Sequence, residues 1–475
     1  MTISTPLRSA TSPQQGASLW QRLGSLARRR WQYLRSVLLR GTPIVLDPFG
    51  FLPGQTSALV DGAGDEAPLV PGYAFHTHYT PCSARSVRFQ VRLPGLTAKS
   101  GQLMLAIVAL NDTGTSVDPK VKHIALSKLM ARGGKAAISM PADEGYSYAL
   151  IGVLTGNADA RADGIAISMR GGERSDALHA RFAAARRDFL STPGTGLLAP
   201  LIVDRPPTLA EPISQMCTAA QMSEPRYGEW CGRLGTPPFS HRKQWEFVFI
   251  SRALEYHGAL RNGARGLGFG VGLEPLPSLY AALGCHIVAT DLPSGDTRAQ
   301  MWSDTDQLGI DLGHIHNPRL CDDKTFFDRV SYRAVDMNAI PSDLTDFDFT
   351  WSSCAYEHLG SIEAGLRFFE NSLECLKPGG LAVHTTEINL SSNGSTLENG
   401  STVIFRRRDF EDLAERLLAK GHEVMPITFD SGNSELDRVI DLPPYSNDPH
   451  LKLQLLRWVS TSFGMIVRKN PSPAR

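Results

Sequence analysis

The sequence predicts an α/β protein in two parts: an all-β sandwich-like domain, then a mainly parallel sheet with helices on both faces and an antiparallel last strand. Three observations lead there. Residues 86–170 break into short apolar runs separated by glycine, proline and asparagine, as in an antiparallel sandwich. Residues 264–291 read strand, glycine turn, helix and strand, ending in the acid Asp291. Residues 347–354 form an uninterrupted apolar-aromatic run, the texture of a strand buried on both faces of a parallel sheet.

A length of 475 residues fits two or three domains. The formal charge is zero and a fifth of the residues are charged, so nothing pulls the chain toward nucleic acid, and no such partner is expected. Seven cysteines at 82, 217, 231, 285, 321, 354 and 375 contain no C-x-x-C. That pattern fits reduced thiols in a cytoplasmic protein better than disulfides or a zinc site.

Residues 1–41 depart from this balance. Residues 1–46 hold seven arginines, no lysine and no acid. Leu19, Leu23, Leu26, Trp31, Leu34 and Leu38 recur at helical spacing between arginines, which predicts a basic amphipathic helix. Arginine interrupts its apolar runs far short of the roughly 18 residues that span a bilayer. Two readings stay open: peripheral contact with an anionic membrane, and docking on protein.

Residues 42–172 form the sandwich-like domain, with strands expected at 86–93, 102–110, 123–126, 136–140, 146–154 and 164–170. Tyr73, Phe75, His76, His78 and Tyr79 are a candidate sugar-stacking face, with plain strand packing as the commoner alternative. His76 and His78, two apart, share one side of a strand, but no third metal ligand is in view. Residues 173–213 combine a helix at 176–190 with a stretch holding five prolines, which makes a connector. The last domain spans 214–475 and opens with a helix at 240–260, whose His241, Arg242, Lys243 and Trp245 are candidate pocket residues.

Within 264–291, glycines let the backbone approach a ligand at a helix N-terminus, and an acid about 20 residues on accepts hydrogen bonds from ribose. A dinucleotide fingerprint needs G-x-G-x-x-G/A, and in the three possible registers its last position falls on Val271, Leu273 or Pro275. What stands instead is G-x-G-x-G at Gly268, Gly270 and Gly272. This resembles motif I of class I S-adenosylmethionine-dependent methyltransferases, with their Rossmann-like sheet. One departure is Gly266, where that family carries an acid; Glu274 is the candidate replacement for contacting the methionine amino group. The plain alternative is a glycine-rich surface turn.

Downstream segments extend the resemblance over 240–469. The family pattern implies that Asp291 meets the ribose, Asp336 the adenine amino group and Met337 the adenine ring, with Ser352 beside the cofactor. FDFTWSSC, Glu357-His358, a helix with Ile362, Leu366, Phe369 and Leu373 on one stripe, LKPGG and a strand at 381–386 are similar to motifs IV and V. About thirty residues separate the last two expected strands, 422–429 and 459–469, too few for a crossover helix and its strand, so the final strand is expected to run backwards. The segments HRKQWEF, GLGFGVGLEPLP, WSSCAYEHLGS, HTTEIN and DLPPY look like a subgroup associated with bacterial polysaccharide or envelope genes.

The resemblance implies S-adenosyl-L-methionine as cofactor and a small-molecule or glycan hydroxyl as methyl acceptor. His358 is the candidate base, because imidazole titrates near working pH and follows the fourth strand; Glu357 would orient it. His384 and Glu387 are second choices, His384 having the competing role of a core histidine. No metal is assigned, although these groups are also of a type that holds a divalent cation. His314 and His316 lie in an insertion, 292–329, expected over the substrate side. An oligomer is compatible with all of this. The alternatives are a non-catalytic scaffold of the same fold and a nicotinamide-dependent sugar enzyme, for which no Tyr-x-x-x-Lys pair is found.

Overall fold

The computed structural model describes residues 43–471 apart from 52–53, 63–69, 112–115, 174–186, 294, 297, 299–308, 310 and 446–449. The expected amphipathic helix at the start and most of the helix expected at 176–190 lie outside the described residues. Among the described residues no helix is long and apolar enough to cross a membrane.

The first half folds as two antiparallel sheets. One runs β1 (Ile44–Leu46), β9 (Ala166–Arg170), β4 (Ser86–Arg92), β7 (Lys135–Pro141). The other runs β2 (Tyr73–His76), β8 (Tyr146–Arg161), β5 (Thr97–Asn111), β6 (Ser116–Ala125), with β3 (Thr80–Pro81) also on β8. Strict alternation drives this layering: Val87, Phe89 and Val91 of β4 point inward against Leu103, Leu105 and Ile107 of β5. The stretch expected as a strand at 123–126 is the end of β6 running into a short helix, Leu126–Met130. Leu126 and Leu129, three apart, are both buried there.

The second sheet of the sandwich is buried on both faces. Its outer side chains, among them Tyr73, Ala106, Val108, Ala149 and Ile151, join one core with Met216, Leu390 and Val459 of the second half. This accounts for Tyr73, Phe75, His76, His78 and Tyr79, every one of which is buried. Tyr73 and Tyr79 belong to this junction and Phe75 to the core between the two sheets, so these side chains present no sugar-stacking face. The His76 ring stacks on Phe51 at 4.0 Å, and its Nε2 meets Gln454 Oε1 at 2.9 Å. Burial pushes its pKa down to about 4, so it is a neutral structural residue and no metal ligand. Tyr79 donates its hydroxyl to Leu456 O at 3.2 Å and accepts from Gln454 Nε2 at 2.6 Å.

The second half is built on β11 (Arg265–Phe269), β12 (His286–Asp291), β13 (Val330–Ala334), β14 (Phe347–Ser353), β15 (Leu376–Asn389) and the long β19 (Trp458–Arg468). Their order is β13-β12-β11-β14-β15-β19, parallel as far as β15, with β19 antiparallel to it. The free side of β19 is covered in turn by β18 (Lys452–Leu455), β10 (Gln215–Met216) and β16 (Glu423–Val424), and β17 (Ile440–Asp441) extends β18. Taking β16 as the sixth strand, the order is 3-2-1-4-5-7-6 with the seventh reversed, as the short final interval predicts. Only Glu423–Val424 of the strand expected at 422–429 pairs with β19, because Ile427 turns away to bridge Ile202 and Ser214.

Helices cover both faces. Arg242–Tyr256 and Leu276–Ala282 pack on one side against Phe349, Trp351 and Val383. Ile362–Glu374 and Arg407–Ala419 pack on the other, where Phe368, Phe369, Leu413 and Leu417 are buried. This arrangement places the carboxyl ends of five parallel strands along one edge, the place where open α/β sheets bind ligands.

Candidate active site at the carboxyl ends of the parallel strands

The glycine turn follows β11 at that edge. Gly270 has φ +59°, and a Cβ there would stand 2.8 Å from Ala355 Cβ and 3.5 Å from Met337 Sδ. A Cβ on Gly268 would meet the Trp351 ring at 2.4 Å. The turn therefore needs glycine both for its backbone shape and for the approach of the segments after β13 and β14. Asp291, at the end of β12, faces this turn: its Oδ2 accepts from Gly272 N at 3.0 Å and Gly309 N at 3.1 Å, and its Oδ1 from Leu292 N at 2.7 Å. Burial pushes its pKa up while those three amides pull it down.

Gly268, Gly270, Gly272, Asp291, Asp336 and Met337 thus share one mouth. Asp336 is held there by the insertion: Arg298 Nη2 donates to its Oδ2 at 2.8 Å and also bonds Asp296. Among the described residues, the start of the insertion therefore contacts Asp291 and Asp336. Asp311 caps a short helix by accepting from His314 N at 3.0 Å and lies 3.1 Å from its Nδ1, and His316 bonds Cys321 O at 2.9 Å while packing on Phe326, so each histidine of the pair serves the loop.

Two candidate cofactor residues are engaged by the protein itself. Glu274 takes the Trp351 indole N–H on Oε1 at 2.6 Å. Burial raises its pKa to about 8, so at neutral pH it is an uncharged carboxyl committed to Trp351 and offers nothing to an ammonium group. Ser352 points into the opposite core, where its hydroxyl bonds His384 Nδ1 at 2.8 Å. His384 is fully buried between Phe368 and Phe369, and its Nε2 meets Ser372 Oγ at 3.1 Å. Both ring nitrogens are engaged and burial drives its pKa to about 3, so it is a core histidine and not a base.

The ends of β14 and β15 hold a buried nest of charge. Cys354 follows β14 with φ +46°, a conformation that non-glycine residues rarely adopt, and its N–H bonds Thr385 O at 3.0 Å. The chain then makes a tight turn, Tyr356–His358. Glu357 is buried, and its Oε2 accepts from Thr386 Oγ1 at 2.9 Å. Burial is the main force raising its pKa, opposed by His358 and Lys243. His358 places Nδ1 at 2.9 Å from Ser401 O and Nε2 at 4.0 Å from Glu357 Oε1. A carbonyl can only accept, so Nδ1 carries the proton and Nε2 is the basic nitrogen, turned toward Glu357.

Opposite stands the start of helix Arg242–Tyr256. Arg242 pairs with Glu387 and lies 3.6 Å from Glu246 Oε1, while Lys243 Nζ lies 3.1 Å from Glu246 Oε2. Ser460 donates to Glu387, and Ser462 and Ser353 donate to Glu246. Burial works against a charge on Glu246, but Lys243 and Arg242 together hold its pKa below the ordinary carboxylate range. Arg242 Nε is buried with no hydrogen-bond partner, one donor left over for a ligand. His241 caps this helix through Lys243 N at 3.2 Å and packs edge-on against His450. Trp245 is buried beneath, stacked on Phe249, and does not reach the cleft.

Cys354, Glu357 and Glu387 offer donor atoms all within 4.8 Å of one another. Of the three, Glu387 already pairs with Arg242. Glu246, Ser460 and Ser462 were missed in the sequence. Only Glu246 left a signal, four residues after Arg242 on one helix face.

No family model matches the chain, and no curated protein matches it. Solved structures do. A putative sarcosine dimethylglycine methyltransferase from Galdieria sulphuraria aligns at 15% identity over 49% of this chain and 85% of its own, with a TM-score of 0.30. TehB from Haemophilus influenzae aligns at 11% identity over 83% and 91%, TM-score 0.30. Magnesium protoporphyrin IX methyltransferase (ChlM) from Synechocystis PCC 6803, solved with S-adenosylhomocysteine bound, aligns at 10% identity over 48% and 83%, TM-score 0.30. Such distant likeness says nothing about substrate, and the fold is read here from the strand order itself.

Proposed function

We propose that the chain is a methyltransferase using S-adenosyl-L-methionine, and that it methylates a hydroxyl of a glycan or related envelope metabolite. The observation that carries this reading is the positive-φ turn at Gly270 packed against Met337 and Ala355, with Asp291 at the end of the next strand. Gly270, Asp291, Asp336 and Met337 would hold the nucleoside. Arg242, Lys243 and Glu246 carry the charges that suit a zwitterionic amino-acid end. When bound, the cofactor supplies a methyl group on a positively charged sulfur. The chain's part is to align the acceptor in line with it, to exclude water and to take a proton.

His358 Nε2 is the proton acceptor in this scheme, and the Glu357 carboxylate beside it stabilises the imidazolium that results. The glycan acceptor is inferred from the resemblance of segments such as HTTEIN and DLPPY alone. Location in the cytoplasm, peripheral membrane contact through residues 1–41 and self-association belong to the same proposal. Native mass spectrometry and calorimetry with S-adenosylhomocysteine test it. Micromolar binding that is lost in Asp291→Ala is expected; no binding to the wild-type chain would overturn it.

A second reading keeps the fold as a non-catalytic scaffold. It is favoured by Gly266 in place of an acid and by Arg298 sitting on Asp336. It forecasts no cofactor affinity, so the same experiment separates the two.

A further inference from the structure

The carboxyls along the cleft do not share their counterions evenly. Glu246 takes both Arg242 and Lys243, Glu387 takes Arg242, and Asp291 takes three backbone N–H groups. Glu274 takes only the Trp351 indole N–H, and among the described residues no cation pairs with it. Its place is fixed from two sides. Glu274 N bonds Val271 O at 3.0 Å, which closes the glycine turn, and Trp351 holds the carboxyl against β14. Two residues beyond Trp351 on the same face of β14, about 6–7 Å along the strand, Ser353 donates to Glu246 Oε2 at 3.1 Å. Glu274 thus lies between Asp291, which would hold the ribose, and the Glu246 nest, which would hold the amino-acid end. Burial above all keeps its proton on, against the pull of the Trp351 N–H; Asp291 from β12 and Glu246 from helix Arg242–Tyr256 add to the effect, and Lys243 opposes it. Glu274 in turn raises the pKa of Tyr280 on helix Leu276–Ala282, a shift due first to burial.

We propose that Glu274 is the countercharge for the sulfonium of S-adenosyl-L-methionine, and that it lets the chain tell this cofactor from the demethylated product. The inference rests on the methyltransferase reading. The two ligands share their ammonium and carboxylate, and differ by one methyl group and one positive charge at sulfur. A neutral carboxyl gains nothing from the product. A cation brought beside it lowers its pKa, so Glu274 gives a proton to solvent as the sulfonium arrives. Transfer of the methyl to the acceptor oxygen leaves the C–S bonding pair on sulfur as a neutral thioether, while the hydroxyl proton goes to His358 Nε2. Glu274 then takes a proton back from solvent. Loss of the ion pair weakens the hold on the product, which suits its release. Burial makes the pair effective, because a carboxylate on a residue only 8% exposed is screened little by salt.

The test titrates the full chain with S-adenosylmethionine and with S-adenosylhomocysteine, by calorimetry at pH 7 in two buffers of different ionisation enthalpy, which counts the protons released. With a folded pKa of about 8, about nine-tenths of Glu274 is protonated at that pH. On binding S-adenosylmethionine the wild type should therefore release about half to one proton more than Glu274→Gln, and on binding S-adenosylhomocysteine the same number. The comparison cancels the ligands' own ionisation. At pH 8.5, Glu274→Gln should weaken S-adenosylmethionine about tenfold, one pKa unit of coupling, with S-adenosylhomocysteine within about twofold. Infrared difference spectra of the wild type serve should the variant fail to fold: S-adenosylmethionine should remove a protonated-carboxyl band that S-adenosylhomocysteine leaves in place. Equal proton release by wild type and variant, or a band untouched by S-adenosylmethionine, would overturn the assignment while both ligands still bind. Binding of neither ligand sinks the methyltransferase reading and this assignment with it.

Discussion

Arg298 Nη2 rests 2.8 Å from Oδ2 of Asp336, so the insertion holds the carboxylate that the family resemblance assigns to an adenine amino group. The guanidinium is about half exposed, and pairs of this kind contribute about 0–1 kcal/mol. A nucleoside therefore displaces it at small cost. Arg298→Ala should tighten S-adenosylhomocysteine binding about two- to fivefold at low salt, with the gap to wild type closing as salt rises. Weaker binding in calorimetry would instead make Arg298 a ligand contact.

Glu274 gives the fold a pH dependence of a definite sign. Its folded pKa is raised to about 8, against about 4.3 in an unfolded chain. Its contribution is complete below about pH 4.3 and is lost as pH rises toward 8, because only the unfolded chain releases the proton in that window. The loss is on the order of a few kcal/mol. Glu274→Gln keeps an acceptor for the Trp351 indole and removes the titration, so urea melts should show a flatter decline from pH 5 to 8. His384, whose pKa is lowered to about 3, contributes with opposite sign: its stabilisation is full above about pH 6.5 and falls as the medium acidifies. A Glu274→Gln profile that parallels wild type would show that this carboxyl is ionised in the fold.

Arg242 and Glu387 come from elements far apart in sequence and form a buried pair. Removing one partner leaves the other charge uncompensated, a loss of about 3–5 kcal/mol, whereas replacing both with apolar groups is often neutral. Arg242→Met should thus lower stability steeply, and Arg242→Met combined with Glu387→Met should recover most of it in a double-mutant cycle. If the two single losses simply add, the pair is not coupled.

What was legible in the chain was local. Gly268 to Asp291 sits within one strand-turn-helix-strand unit, so spacing alone places the turn and its acid, and the apolar run at 347–354 marks β14. The nest around Glu246 was not legible, because its parts arrive from β14, β15, β19 and the helix before β11, and only the tertiary fold joins them. His384 and Glu387 illustrate the missing step. They stand three apart on β15, and odd separations on a strand face opposite sides of a sheet. His384 accordingly enters the core with Ser352 and Ser372, while Glu387 meets Arg242. Glu274 deceived for another reason: sequence puts it beside the turn, but Trp351, 77 positions later, takes up its carboxyl.

The Glu357 and His358 pair decides whether the site is catalytic. With Nδ1 fixed by Ser401 O, His358 presents Nε2 toward the buried Glu357 carboxyl 4.0 Å away. Glu357→Gln preserves shape and the Thr386 hydrogen bond but removes the charge, so turnover on a screened acceptor should fall about 10²–10⁴-fold. S-adenosylhomocysteine affinity should stay within about twofold, because the loss lies in the proton-transfer step and not in cofactor binding. His358→Gln should cost as much in rate and as little in cofactor affinity. A loss of cofactor affinity equal to the loss of rate in either variant would assign the two residues to structure and return the search for a base to the remainder of the cleft.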